Sequence, residues 1–277
     1  MNLSTLSIVA LGAASVACKT TETVANEYTS ASDVPSPSDA IDDIPLEELE
    51  EADDEREQDN DDQGSDDGSS DGSEGTTPEP EPTITYDFDE ENSLIYVQVF
   101  KDEDAWLSGM AHNHVIRADG YSGEVDYNLD DLSACRIAFS LDVDDLQVDE
   151  SGMRDFVGYD EPLADDDRAE IRSNMLEPGQ LNGDAYGTIE FESTQCTGDG
   201  GAVAELQVRG GLRVRGVDAN VSPTVNVTVY EGKLYAQATF EVNHASFGMS
   251  PYSFLGGAVR NSDPLRFTID IVANANN

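Results

Sequence analysis

The sequence predicts an all-β domain, an antiparallel β-barrel with one short helical insertion, preceded by a disordered acidic segment. Three observations carry this. From about Thr83 onward, apolar and polar residues alternate with period two in one stretch after another. Turn signals separate those stretches: "GDGG" at 198–201, "YEGK" at 230–233 and "NSDP" at 261–264. Before Thr83 the chain is crowded with Asp, Glu, Ser, Gly and Pro and has almost no aromatic residues.

The first segment is residues 1–17. "MNLSTLSIVALGAASVAC" carries an apolar run from Leu6 to Ala17, too short to span a bilayer and typical of an export signal. It ends in "SVAC", which resembles the lipobox of bacterial lipoproteins, although no Lys or Arg precedes the apolar run. That resemblance implies cleavage before Cys18, lipidation of its thiol and, with Lys19 rather than Asp following, anchoring in the outer membrane of the cell envelope. A plain secretory signal with an incidental cysteine is the alternative.

Residues 18–82 form the second segment. It holds about 23 of the 58 acidic residues of a chain whose net charge is −44. Such a composition cannot bury enough apolar surface to offset the entropy of ordering, so a disordered linker is expected. "DNDDQGSDDGSSDG" has the alternating Asp of a calcium loop but Ser70 where the bidentate Glu belongs, so it supports no specific cation site. A flexible stretch of this length reaches about 45 Å on average, which would make it a spacer. The negative field repels phosphate backbones, so nucleic acid is excluded as a partner.

Residues 83–277 supply the strands. "CRIAFSLDV" puts Ile137, Phe139, Leu141 and Val143 on one face, and "TIEFES" joins Ile189 to Phe191. Val225, Val227 and Val229 align in "PTVNVTVY"; Leu234, Ala236, Ala238, Phe240 and Val242 align in "KLYAQATFEV"; Leu265, Phe267, Ile269 and Ile271 align in "LRFTIDIV". Each is a strand with one wet face. The stretch 160–176 differs: acid at its start, then Arg168 and Arg172, with Leu163, Ile171 and Met175 at helical spacing. Long strands with a single apolar face favour a barrel, which leaves no exposed edge.

The three histidines are the sharpest chemical feature. "GMAHNHVIR" places His112 and His114 two apart, and alternation extended in both directions aligns Trp106, Met110, His112, His114 and Ile116. His244 continues the apolar face of Leu234 to Val242. Parity therefore predicts all three histidines inside the barrel. Two readings stay open on the residues: a His112/His114/His244 zinc site activating a water for a hydrolase or lyase, or a polar patch in an apolar lumen. "SFGMSPYSFLGG" at 246–257 supplies Phe247 and is read as a lid at the barrel mouth or a packed loop. Cys135 and Cys196 lack metal-ligand spacing and, in an exported protein, are candidates for a disulfide or are two unpaired small residues.

The ordered set "GMAHNHVIRADGYSGEVDYN", "CRIAFSLDVDDLQVD", "RAEIRSNML", "YGTIEFEST", "VRGGLRVRGVDANV" and "VNHASFGMSPYS" resembles the YceI-like domain over 84–273. Asp218 departs from it where that family often carries Thr, and the acidic segment is foreign to it. The resemblance implies a lipocalin-like barrel that binds, without catalysis or cofactor, a long isoprenoid lipid such as a quinone or polyprenyl lipid. The residues facing its lumen then become the candidate ligand contacts: His112, His114, His244, Trp106, Met110, Phe139, Phe191, Phe240 and Phe247. It also implies that the strand beginning at Cys135 and the strand ending at Cys196 are antiparallel neighbours. A structural envelope lipoprotein without a ligand is the remaining alternative.

Overall fold

The computed structural model describes residues 27–42, 44 and 82–276. The signal segment, Cys18 and the acidic run 45–81 lie outside the described residues.

The strands are β1 (Ile84–Phe88), β2 (Leu94–Lys101), β3 (His114–Arg117), β4 (Tyr121–Tyr127), β5 (Arg136–Asp142), β6 (Gln147–Val148) and β7 (Thr188–Gly198). They continue with β8 (Val203–Val214), β9 (Val217–Val221), β10 (Thr224–Tyr230), β11 (Lys233–Asn243), β12 (Ser253–Phe254) and β13 (Val259–Ala275). Several consecutive strands are two halves of one bent stave. Phe88 of β1 pairs with Ala273 and Leu94 of β2 with Asp270, so both run along the 17-residue β13. In the same way β3 and β4 follow β2 and β1, β6 and β5 follow β3 and β4, and β9 and β10 share β8. Eight antiparallel staves result, and the pairing of Tyr86 with Ala275 closes them into a barrel. Closure satisfies the backbone groups that an open sheet would leave at its edges.

The bends have local causes. Pro223 lacks an N–H and interrupts the stave between β9 and β10. Between β3 and β4 the chain turns at Gly120, whose φ is 67° and whose missing Cβ leaves room for the Asp145 carboxylate.

The period-two alternation appears as an inside and an outside. Along β8, Ala204, Leu206, Val208, Leu212 and Val214 are buried while their neighbours face water. Ile137, Phe139, Leu141, Ile189, Phe191, Val225, Val227, Leu234, Ala236, Ala238, Phe240, Leu265, Phe267, Ile269 and Ile271 all face the interior, as alternation predicts. Cys135 and Cys196 are joined by a disulfide.

The insertion between β6 and β7 holds two helices rather than one. The predicted helix is α3 (Asp165–Leu176), with Asp165, Asp166 and Asp167 at its positive end and Ile171 and Met175 turned to the barrel. It begins after Leu163, whose predicted place in the helix is corrected. Ahead of it lies α2 (Ser151–Phe156), which buries Met153 and Arg154.

Within the segment read as a linker, residues 27–42 and 44 lie along the outside of the barrel and include α1 (Pro37–Asp42). Val34 packs with Leu94, Val115 and Met153, and Ile44 with Tyr235 and Val272. The Tyr28 N–H donates to Glu150 at 2.9 Å, the Gly152 N–H donates to the Tyr28 carbonyl at 2.8 Å, and the Ser38 hydroxyl donates to Asp270 at 2.8 Å. Gly152 is required here, because a Cβ would come within 2.5 Å of the Ser30 carbonyl oxygen. The acidic run therefore connects two points on the barrel, Ile44 and Pro82.

Candidate functional site

The staves enclose a cavity of about 270 Å³. Its wall is aliphatic and aromatic, with Phe139 stacked on Phe191 (centroids 5.5 Å apart) and Phe240 on Phe267 (5.3 Å). Two glycines make that packing possible. A Cβ on Gly123 would stand 2.5 Å from the Phe88 ring, and one on Gly210 would stand 2.6 Å from the Phe191 ring. Both glycines lie inside strands, a position that signals close approach of another group. That signal is legible in the sequence.

α3 and the segment after β11 close over one end of the barrel. Asn174 of α3 donates to the Tyr252 hydroxyl at 3.4 Å, and Gln180 donates to the Ser250 carbonyl at 3.1 Å. Phe247 and Met249 are buried beneath this closure and line the cavity. Phe247 thus belongs to the packed wall, not to a mobile lid. The glycine that follows it, Gly248, takes φ 68° and ends the turn.

The histidines separate. His114, the first residue of β3, pairs with Val99 and lines the cavity. His244 opens the 3-10 turn His244–Phe247, is buried, lines the cavity and donates from Nδ1 to the Asp263 carbonyl at 2.7 Å. His112 does not enter the lumen: it precedes β3, and its Nδ1 lies 2.9 Å from the exposed Glu161 carboxylate. Trp106 and Met110 are corrected with it, being exposed in the loop between β2 and β3. Alternation fails there because the ladder ends at His114. One residue earlier, the Asn113 side chain accepts the Lys101 N–H at 3.0 Å. Among the described residues no three His, Cys, Asp or Glu side chains are grouped to hold a metal ion. The His112/His114/His244 zinc site is therefore not assembled.

Behind His114 is a buried charged network absent from the sequence reading. The His114 Nδ1 lies 2.7 Å from Asp149 Oδ2; the carboxylate accepts, so Nδ1 carries a proton. Asp149 Oδ1 accepts from the Val115 N–H at 3.0 Å and from Arg154 at 2.8 Å. Burial alone would raise the Asp149 carboxyl, but His114, Val115 and Arg154 outweigh it and hold it below the ordinary carboxylate range. The next residue, Glu150, grips Arg117 through both oxygens, at 2.7 and 3.0 Å. "VDE" at 148–150 offered only a pair of acids among many; what distinguishes them is burial.

The model of the YceI-like domain matches residues 86–273. The chain belongs to the YceI-like family. Among solved structures, it is similar to Burkholderia cenocepacia BcnA, at 14% identity and a TM-score of 0.49, over 68% of this chain and 99% of that one. It is also similar to a polyisoprenoid binding domain from Saccharophagus degradans implicated in plant cell wall breakdown, at 11% identity and a TM-score of 0.46, over 70% and 99% of the two chains. A Campylobacter jejuni YceI protein aligns at 10% identity and a TM-score of 0.44, over 58% and 85%. No curated protein matches the chain. In this YceI-like chain the matched span begins within β1 and ends within β13, so it contains every stave that forms the cavity.

Proposed function

We propose that the barrel binds the chain of a long isoprenoid lipid in its lumen, without catalysis, and sets the polar head of that lipid near His114 or His244. The observation that carries this reading is the character of the cavity wall. It is apolar almost throughout, its polar members are side chains such as Asn174, Gln180, Tyr252 and Asn261 with the two histidines, and among the described residues no Lys, Arg, Asp or Glu lines it. Apolar burial is favourable by about 25 cal/mol per Å² and drives entry of a hydrocarbon chain. A few convergent polar groups then orient the head.

A wall without a cation offers nothing to neutralise a diphosphate, so a quinone or polyprenyl alcohol suits it better. Membership of the YceI-like family points to the same ligand class. The protein would act outside the cytoplasm, held to the outer membrane through Cys18. The apolar stretch Leu6–Ala17, "SVAC" and the Cys135–Cys196 disulfide support that placement.

Native mass spectrometry of the purified protein, followed by competition between a prenyl alcohol and the diphosphate of equal chain length, tests this. A co-purifying isoprenoid mass and preference for the alcohol are expected. A lumen that takes up neither compound would overturn the reading.

A further inference from the structure

Four large apolar side chains stand in water at one rim of the barrel. Trp106 is 86% exposed, Met110 66%, Phe254 58% and Leu255 56%. They sit on two loops that are joined. The Leu107 N–H donates to the Ala258 carbonyl at 2.8 Å and the Asp102 N–H to the Arg260 carbonyl at 2.9 Å. The hairpin carrying Phe254 and Leu255, in which β12 pairs with Val259 and Arg260, stands on Tyr252 and Asn261. Those two residues are hydrogen bonded at 2.9 Å and both line the cavity. The patch is thus continuous with the wall of the lumen.

Arg260 pairs with Asp102 at 2.6 Å and Lys101 with Glu103 at 3.5 Å, so two of the three acids that precede Trp106 are paired with cations. Leu255 keeps an exposed apolar side chain at φ 50°, a left-handed conformation that costs a non-glycine residue energy and persists where something requires it. Tryptophan with a flexible aliphatic neighbour suits the boundary between headgroups and acyl chains.

We propose that this rim docks on a lipid bilayer, with Trp106, Met110, Phe254 and Leu255 entering the interface and the lumen held against the membrane. The occupant is a membrane because the patch adjoins an apolar cavity and Asp102 and Glu103 beside it are paired with Arg260 and Lys101. Chain length agrees. Cys18 and Glu27, the first described residue, are nine positions apart, which at full extension spans about 30 Å at most. A barrel strapped at residue 27 therefore stays near whatever bilayer holds Cys18.

Trp106, the sole tryptophan, is its own reporter. The full chain is placed in phosphatidylcholine vesicles whose acyl chains carry bromine near the headgroup end. Docking predicts that Trp106 emission is quenched at least twofold relative to unbrominated vesicles. The Phe254→Ser, Leu255→Ser double variant, which alters only exposed side chains, should lose at least half of that quenching with an unchanged circular dichroism spectrum. Equal emission in both vesicle types overturns the proposal. So does an emission shift that follows protein concentration without lipid, which would assign the patch to a second copy of the chain. Quenching requires no lumen ligand, so docking stands or falls separately from lipid binding.

Discussion

His114 and Asp149 are joined by a 2.7 Å hydrogen bond that ties a ring on the lumen wall to a carboxylate whose side chain is fully buried. The same carboxylate accepts from Arg154, and its neighbour Glu150 holds the strap through Tyr28. Two adjacent acids thus connect the cavity lining to the segment that precedes the barrel.

Asp149→Asn removes the charge that compensates Arg154. Leaving one partner of a buried pair uncompensated costs about 3–5 kcal/mol. Urea denaturation followed by circular dichroism should show a loss of that size. The native carboxyl lies below its ordinary value, so its contribution is complete above the ordinary carboxylate range and is lost as pH falls through the depressed value. The difference between wild type and variant should therefore shrink on acidification. A constant difference down to the acid transition would contradict this assignment.

Asp270 behaves oppositely. Burial raises its carboxyl above the ordinary value, against the hydrogen bonds from Ser38 and Gln237 that pull it down. The folded state then holds the proton more tightly, and stability declines as pH rises from the ordinary carboxylate value through the raised one. Asp270→Asn should abolish that decline. Thermal midpoints of the two proteins, measured side by side from pH 4 to 7, should diverge in favour of the variant as pH rises.

Reduction of Cys135–Cys196 releases a link across 61 positions. Loop-closure entropy for that length corresponds to about 4 kcal/mol. The double serine variant should unfold at correspondingly lower urea concentration.

Gly210→Ala would place a methyl group 2.6 Å from both the Glu192 carbonyl and the Phe191 ring. Overpacking of this kind costs about 1–3 kcal/mol. The ring can yield only toward the lumen, so the variant should also weaken uptake of a long prenyl alcohol. Gly211→Ala, one residue on and with open space around its Cβ position, is the control and should change neither stability nor uptake.

How far the site was legible follows from the range of the forces involved. Phe139, Phe191 and Phe240 could be assigned to the interior from alternation alone, because a paired strand must send successive side chains to opposite faces. Trp106, Met110 and His112 were misassigned by the same rule. Period two holds only where backbone pairing holds, and the Asn113 side chain ends the pairing just before His114. The strap was illegible because Tyr28, Val34, Ile41 and Ile44 follow no helical or strand period. Several of their partners, Met153, Tyr235 and Val272 among them, lie more than one hundred positions away.

By itself, then, the sequence determined the class of the domain, the inward face of its strands and the position of α3, since alternation, turn chemistry and end charges act between near neighbours in the chain. Only the tertiary structure decided which histidines face the lumen, that Asp149 stands behind one of them, and that residues 27–42 and 44 lie on the barrel. Those are contacts between distant segments, and their energies depend on burial, which no local pattern encodes.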